Sequence, residues 1–128
     1  MQSLNIYIDG AARGNPGPAG IGIVVMDEKG RIVNKISKYL GQTTNNVAEY
    51  TALIFGMEEA RNRKTKSLII NTDSELLAKQ LGGEYKVKSP NLKGLYDRIN
   101  ILLESFEEVR INQIDRDKNK QADRLANE

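Results

Sequence analysis

The chain contains no cysteine and no histidine. The first absence excludes disulfides, thiolate metal sites and thiol nucleophiles, and the second removes the commonest side-chain base and metal ligand at neutral pH. Chemistry in this protein therefore rests on carboxylates, amides, hydroxyls, lysines and arginines. No apolar run approaches the ~20 residues of a membrane-spanning helix, so no membrane partner is expected. Met1 leads straight into a strand pattern without a signal peptide, which makes the cytoplasm the expected compartment. An excess of one charge is lacking as well. The 19 basic and 17 acidic residues leave +2, too little to mark a nucleic-acid binder by charge alone.

The 128 residues suit a single domain, 1–128, and a monomer is expected. Leu4, Ile6 and Ile8 alternate with Asn5, Tyr7 and Asp9, the period-2 signature of a strand ending at Asp9. Two β-rich segments, Ala19 to Asp27 and Arg31 to Leu40, flank "EKGR", whose glycine suits a hairpin turn. Helical spacing of Tyr50, Leu53, Ile54 and Met57 predicts a helix after "TTNN", with Asn46 as its N-cap. "SLIINTD" reads as a short buried strand, and "SELLAKQL" as a helix capped by Ser74 or Asp73. "LKGLYDRINILLESF" then gives a longer helix, "EVRINQI" the last strand and "NKQADRLANE" the last helix. The order βββαβααβα predicts an α/β fold: a five-stranded mixed sheet with right-handed crossovers and helices on both faces.

The stretch "IYIDGAARGNPGPAG" carries a contradiction. Its glycines suit backbone approach to a phosphate, yet Asp9 repels an anion unless a cation lies between them. Further ligands are then required. Asp73 also closes an apolar strand, and in an open sheet with parallel crossovers ligands bind beyond the carboxyl ends of strands. Glu49 shares a helical stripe with Ala52, Leu53, Gly56 and Ala60, where an isolated carboxylate would cost several kcal/mol to bury. Asp123 adjoins Ala122, Leu125 and Ala126 on the last helix. Four acids without histidine or cysteine suit a hard cation such as Mg²⁺ or Mn²⁺. Taken singly, Asp9 and Asp73 also read as turn or capping acids, Glu49 as a first-turn acid favoured by the helix dipole, and Asp123 as a surface acid. Their combination points to a site.

The pieces "YIDGAARGNPGPAGIG", "TTNNVAEYTAL", "INTDSELL", "GEYKVKSPN" and "NKQADRLAN" run in order along almost the whole chain and resemble type 1 ribonuclease H, in its short form lacking the basic protrusion. The resemblance implies a ribonuclease H-like fold and a catalytic, metal-holding quartet of Asp9, Glu49, Asp73 and Asp123. It implies two Mg²⁺ ions, with Mn²⁺ as a substitute, ~4 Å apart, activating water and stabilising the leaving 3′-oxygen. Asp9 would bridge both ions, with Asp123 on the water side and Glu49 and Asp73 on the other. The implied reaction is endonucleolytic hydrolysis of the RNA strand of an RNA–DNA hybrid, leaving 5′-phosphate and 3′-hydroxyl ends, with double-stranded RNA as a further candidate substrate.

Selecting RNA means reading 2′-hydroxyls across a minor groove. Gly10, Ala11 and Ala12, small enough for close approach, and the amides of Asn15, Asn45 and Asn46 suit that task, and Ser74 joins the substrate-binding set. The resemblance puts Thr44 and Asn45 near the DNA-strand phosphate, while helix capping is the simpler role for Asn45 and Asn46. Lys86 and Lys88 suit phosphate contacts and Tyr85 a sugar contact, or all three belong to a solvated loop. Many relatives carry a histidine in the loop before the last helix; here the loop reads "IDRDKNKQAD", and Arg116 is a candidate for phosphate contact or product release. Glu75 stands where relatives have a neutral glutamine, which should weaken a contact to the substrate. Without a basic protrusion, hybrid affinity should be modest and salt-dependent. Two other classes compete: a catalytically silent nucleic-acid-binding module of the same fold, and a phosphate-binding α/β protein, which would lack the usual "GK[ST]" lysine.

Overall fold

A computed structural model describes residues 3–81 and 90–127. The expected positions Tyr85, Lys86 and Lys88 lie outside the described residues. The elements run β1 (Ser3–Ala12), β2 (Gly17–Met26), β3 (Ile32–Thr43), α1 (Asn45–Asn62), β4 (Ser67–Thr72), α2 (Glu75–Leu81), α3 (Pro90–Leu103), β5 (Glu108–Gln113), a 3₁₀ turn (Arg116–Lys118) and α4 (Lys120–Ala126). They form one five-stranded sheet in the order β3-β2-β1-β4-β5. β1 pairs antiparallel with β2 and β2 with β3, whereas β1–β4 and β4–β5 are parallel, so the sheet is mixed as the element order predicts. Among the described residues no helix is long and apolar enough to cross a membrane.

Both faces are covered, by different means. On one face Leu4, Ile6 and Ile8 of β1 and Ile21 and Ile23 of β2 meet Leu53 and Met57 of α1, all fully buried. α1 lies close because Gly56 has no side chain. A Cβ there would stand 2.7 Å from Ile6 Cδ1. On the other face α4 rests on two glycines of β2, and a Cβ at Gly22 would lie 2.0 Å from the Ala122 carbonyl oxygen. The loop between β2 and β3 is closed by Asp27, whose carboxylate accepts hydrogen bonds from the Lys29 and Arg31 backbone N–H groups, each at 2.9 Å. Gly30 supplies the positive φ of +78° that this turn requires.

Two local expectations change. β1 continues three residues beyond Asp9, because Gly10, Ala11 and Ala12 keep pairing with Ile21, Gly20 and Ala19. Backbone ladders need no apolar side chain, so the loss of alternation does not end the strand. The N-cap of α1 is Thr44 rather than Asn46: its hydroxyl accepts the Val47 N–H at 3.2 Å. Glu49 consequently sits in the second turn, and α1 has no acid in its first. A favourable helix dipole is therefore a weak explanation for Glu49.

Candidate active site

Parallel pairing brings the first two acids level. The register couples Tyr7 of β1 to Asn71 of β4; two residues further on, β1 carries Asp9 and the chain leaving β4 carries Asp73 in the bend just past its last residue, Thr72. Glu49 reaches the same point from α1 because Gly10 lets that helix approach. A Cβ on Gly10 would fall 2.3 Å from the Ala48 carbonyl carbon and 2.4 Å from the Glu49 nitrogen. One carboxylate oxygen from each of Asp9, Glu49 and Asp73 lies within 4.8 Å of the others. Asp123 stands outside this triad but meets Asp9 from α4, within side-chain hydrogen-bonding reach.

Such crowding is electrostatically unfavourable without a counter-charge. Asp9 is 8% exposed, and its carboxyl is pushed up to about 8, first by burial, then by its hydrogen bond with Asp123 and by the charges of Asp73, Asp123 and Glu49. Glu49 is raised as well, chiefly by burial and also by Asp73, while a hydrogen bond from Ser74 and the charge of Arg116 pull the other way. Ser74 has a second task. Its hydroxyl oxygen accepts the Leu77 N–H at 3.1 Å, which makes it, rather than Asp73, the side-chain cap of α2. Three oxygens at this spacing, with an acid beside them, fit a hard divalent cation.

The acids floor an open cleft of about 590 Å³ whose walls include Gly10, Ala11, Ala12, Asn45, Asn46, Ser74 and Arg116. Two of the expected substrate residues stand apart from it. The Thr44 hydroxyl oxygen caps α1, which leaves its O–H free to donate, and the Asn15 side chain accepts the Asn45 N–H at 3.1 Å. Asn45 in turn accepts the Ala12 N–H at 2.7 Å, so these two asparagines clamp the end of β1 to the start of α1. Gly10 has a packing reason for its missing side chain in addition to its place in the cleft. Glu75 is not on the cleft wall; it pairs with Lys79 at 3.3 Å on the α2 surface.

Two asparagines escaped the sequence reading. Asn127 lines the cleft, and its Nδ2 donates to the Asp123 backbone oxygen at 2.8 Å and to Asp123 Oδ1 at 3.3 Å, fixing the direction of that carboxylate. Its spacing of four residues from Asp123 was the available signal. Asn119 is 1% exposed and donates to the Ile8 carbonyl at 2.9 Å, anchoring the start of α4 one residue before Asp9. Nothing in the local sequence marks that contact.

A family profile described as "Reverse transcriptase-like" matches residues 7–128. The ribonuclease HI of Halobacterium salinarum is 40% identical over 125 residues, which cover 98% of this chain and 63% of that protein. A bifunctional protein of Mycobacterium tuberculosis is 39% identical over 124 residues, and the chain spans only 34% of its length. The solved N-terminal RNase H domain of that mycobacterial protein superposes with a TM-score of 0.94 at 38% identity, covering 98% of this chain and 96% of the domain. LC11-RNase H1, solved in complex with an RNA/DNA hybrid, gives 0.91 at 43% identity over 97% of this chain and 94% of its own. Matched in profile, in sequence and in fold over nearly its whole length, the chain belongs to the type 1 ribonuclease H family.

Proposed function

We propose that this chain is a metal-dependent endoribonuclease that hydrolyses the RNA strand of RNA–DNA hybrids, leaving 5′-phosphate and 3′-hydroxyl ends. The observation that carries the reading is the convergence of Asp9, Glu49 and Asp73 within 4.8 Å, with Asp123 against Asp9. A fold gains nothing by crowding carboxylates. The crowding suits a site that takes up cationic charge together with an anionic substrate.

Asp9, Glu49, Asp73 and Asp123 would hold two Mg²⁺ ions, or Mn²⁺ in their place. When bound, these supply Lewis acidity that activates the attacking water and stabilises the leaving 3′-oxygen. The remaining residues position the substrate. Ser74 steadies Glu49 by its hydrogen bond, and Asn127 steadies Asp123. Arg116, on the cleft wall near Glu49, offers a positive charge to a phosphate and to the departing product. Gly10, Ala11 and Ala12 on the cleft wall would leave room for a ribose edge, and the amides of Asn45 and Asn46 on the same wall would read 2′-hydroxyls.

The test incubates labelled RNA–DNA hybrid, duplex RNA, single-stranded RNA and duplex DNA with Mg²⁺, Mn²⁺ or EDTA, alongside Asp9→Asn. Cleavage of the hybrid that needs metal and disappears in Asp9→Asn is the expected result, and the duplex-RNA lane sets the breadth of the activity. Hybrid binding with no cleavage under any metal would instead make the chain a silent binding module.

A further inference from the structure

The acidic cleft does not end at Asp9. β1 continues past it to Ala11, and the register places Ala11, Gly20 and Tyr39 in one row across β1, β2 and β3. Neighbouring strands lie about 5 Å apart, which puts the Tyr39 backbone roughly 10 Å from Ala11. The row lies on the face covered by α4, because Gly20 is filled by the Ala126 carbonyl, where a Cβ would stand only 2.3 Å away. α4 stops there. Beyond its end a shallow cleft of about 200 Å³ opens between Arg13, Tyr39 and Asn127, and it shares Ala11 and Asn127 with the acidic cleft.

Three properties distinguish this extension from ordinary surface. Tyr39 is 68% exposed, the most exposed large hydrophobic side chain among the described residues, and lies outside the buried core. Arg13 is exposed, and among the described residues no carboxylate pairs with it. The pair also follows the acidic cluster along the same strand direction. A polyanion leaving a carboxylate-lined cleft needs a cation beyond it.

We infer that Arg13 and Tyr39 form a strand-guiding subsite for the RNA strand on one side of the scissile phosphate, Arg13 pairing with a backbone phosphate and Tyr39 packing on a ribose. Occupancy by the cleaved strand follows from the shared Ala11 and Asn127, which make the two clefts one path. The inference rests on the hybrid ribonuclease reading above. Its own content is an affinity contribution a few nucleotides from the chemistry, separate from catalysis.

The test compares the unaltered protein with Arg13→Ala and Tyr39→Ala on three hybrids: one extending well past the cleavage position on both sides, one cut short on the 5′ side and one cut short on the 3′ side. On the long hybrid each variant should raise KM by roughly three- to tenfold with kcat nearly unchanged, and Arg13→Ala should flatten the salt dependence by about one phosphate contact. On one of the shortened hybrids, and only one, variants and unaltered protein should converge. Variants equal to the unaltered protein on the long hybrid, or a deficit that persists on both shortened ones, would overturn the subsite. If the unaltered protein cleaves no hybrid at all, the functional reading itself fails, and the subsite with it.

Discussion

Replacing Asp9 by asparagine should stabilise the metal-free protein at neutral pH while abolishing its activity. The carboxyl of Asp9 is pushed from 3.8 to about 8 by burial, by its hydrogen bond with Asp123 and by the neighbouring carboxylates. Between those values the folded state holds a proton that the unfolded chain releases. Stability from that proton is complete below about pH 4 and is lost as the pH rises through about 8. At about 1.4 kcal/mol per pH unit, the loss reaches about 4 kcal/mol by pH 7 but only about 2 kcal/mol by pH 5. These are upper bounds, since the open cleft lets the other carboxylates swing toward water. Half the effect, about 2 kcal/mol, corresponds to roughly 5–10 °C in Tm for a domain of this size. Thermal unfolding in EDTA near pH 7.5 and near pH 5, with and without the substitution, measures the difference directly. Asp9→Asn should melt higher at the upper pH and lose most of that advantage at the lower. Added Mg²⁺ should raise the Tm of the unaltered protein and leave the variant nearly unmoved. Equal melting temperatures at the upper pH, or a gap that does not change with pH, would refute the electrostatic argument.

Two further substitutions probe how the acids are positioned. Gly10→Ala forces a methyl group onto the Ala48–Glu49 backbone, 2.3–2.4 Å away, so α1 must retreat at a cost of about 1–3 kcal/mol. Because Glu49 rides on that backbone, a Mg²⁺ titration of activity should shift to higher concentration; an unchanged titration would detach Gly10 from the site. Asn119→Ala removes the side-chain donor to the buried Ile8 carbonyl, which should cost about 1 kcal/mol or more of stability in urea unfolding. It also loosens α4, so kcat should fall as Asp123 loses its fixed approach to Asp9, and full activity with reduced stability would confine Asn119 to a folding role.

The parts that were legible in the sequence are those where one residue's type reports one environment. The alternation of Leu4, Ile6 and Ile8 announces a face buried against α1, and those three side chains are within 1% of complete burial. An acid closing the apolar run of each of two strands announces a ligand site in a parallel sheet, and the structure gathers Asp9 and Asp73 at one point, although β1 runs on past Asp9 to Ala12. What could not be read is what depends on a partner far away in the chain. "TTNN" contains four residues able to cap α1, and the choice falls on Thr44 because Asn45 is engaged with Ala12 and Asn15. Asn119 meets its carbonyl across 111 positions. A pattern read within a window of a dozen residues carries no trace of either contact.

The same limit explains the glycines. In the sequence they suggest a turn that cradles phosphate, and Gly10 does line the cleft. Yet Gly10, Gly22 and Gly56 each sit where a helix meets the sheet with no space for a Cβ. Gly10 and Gly56 admit α1, which carries Glu49; Gly22 admits α4, which carries Asp123. Close helix packing therefore sets the distance between charges that repel one another. The folded core, built from apolar residues on the opposite side of β1, supplies the stability that holds the carboxylates together. This division places the site's electrostatic cost on the scaffold, so that a cation entering the cleft meets ligands already gathered and has no helix to move.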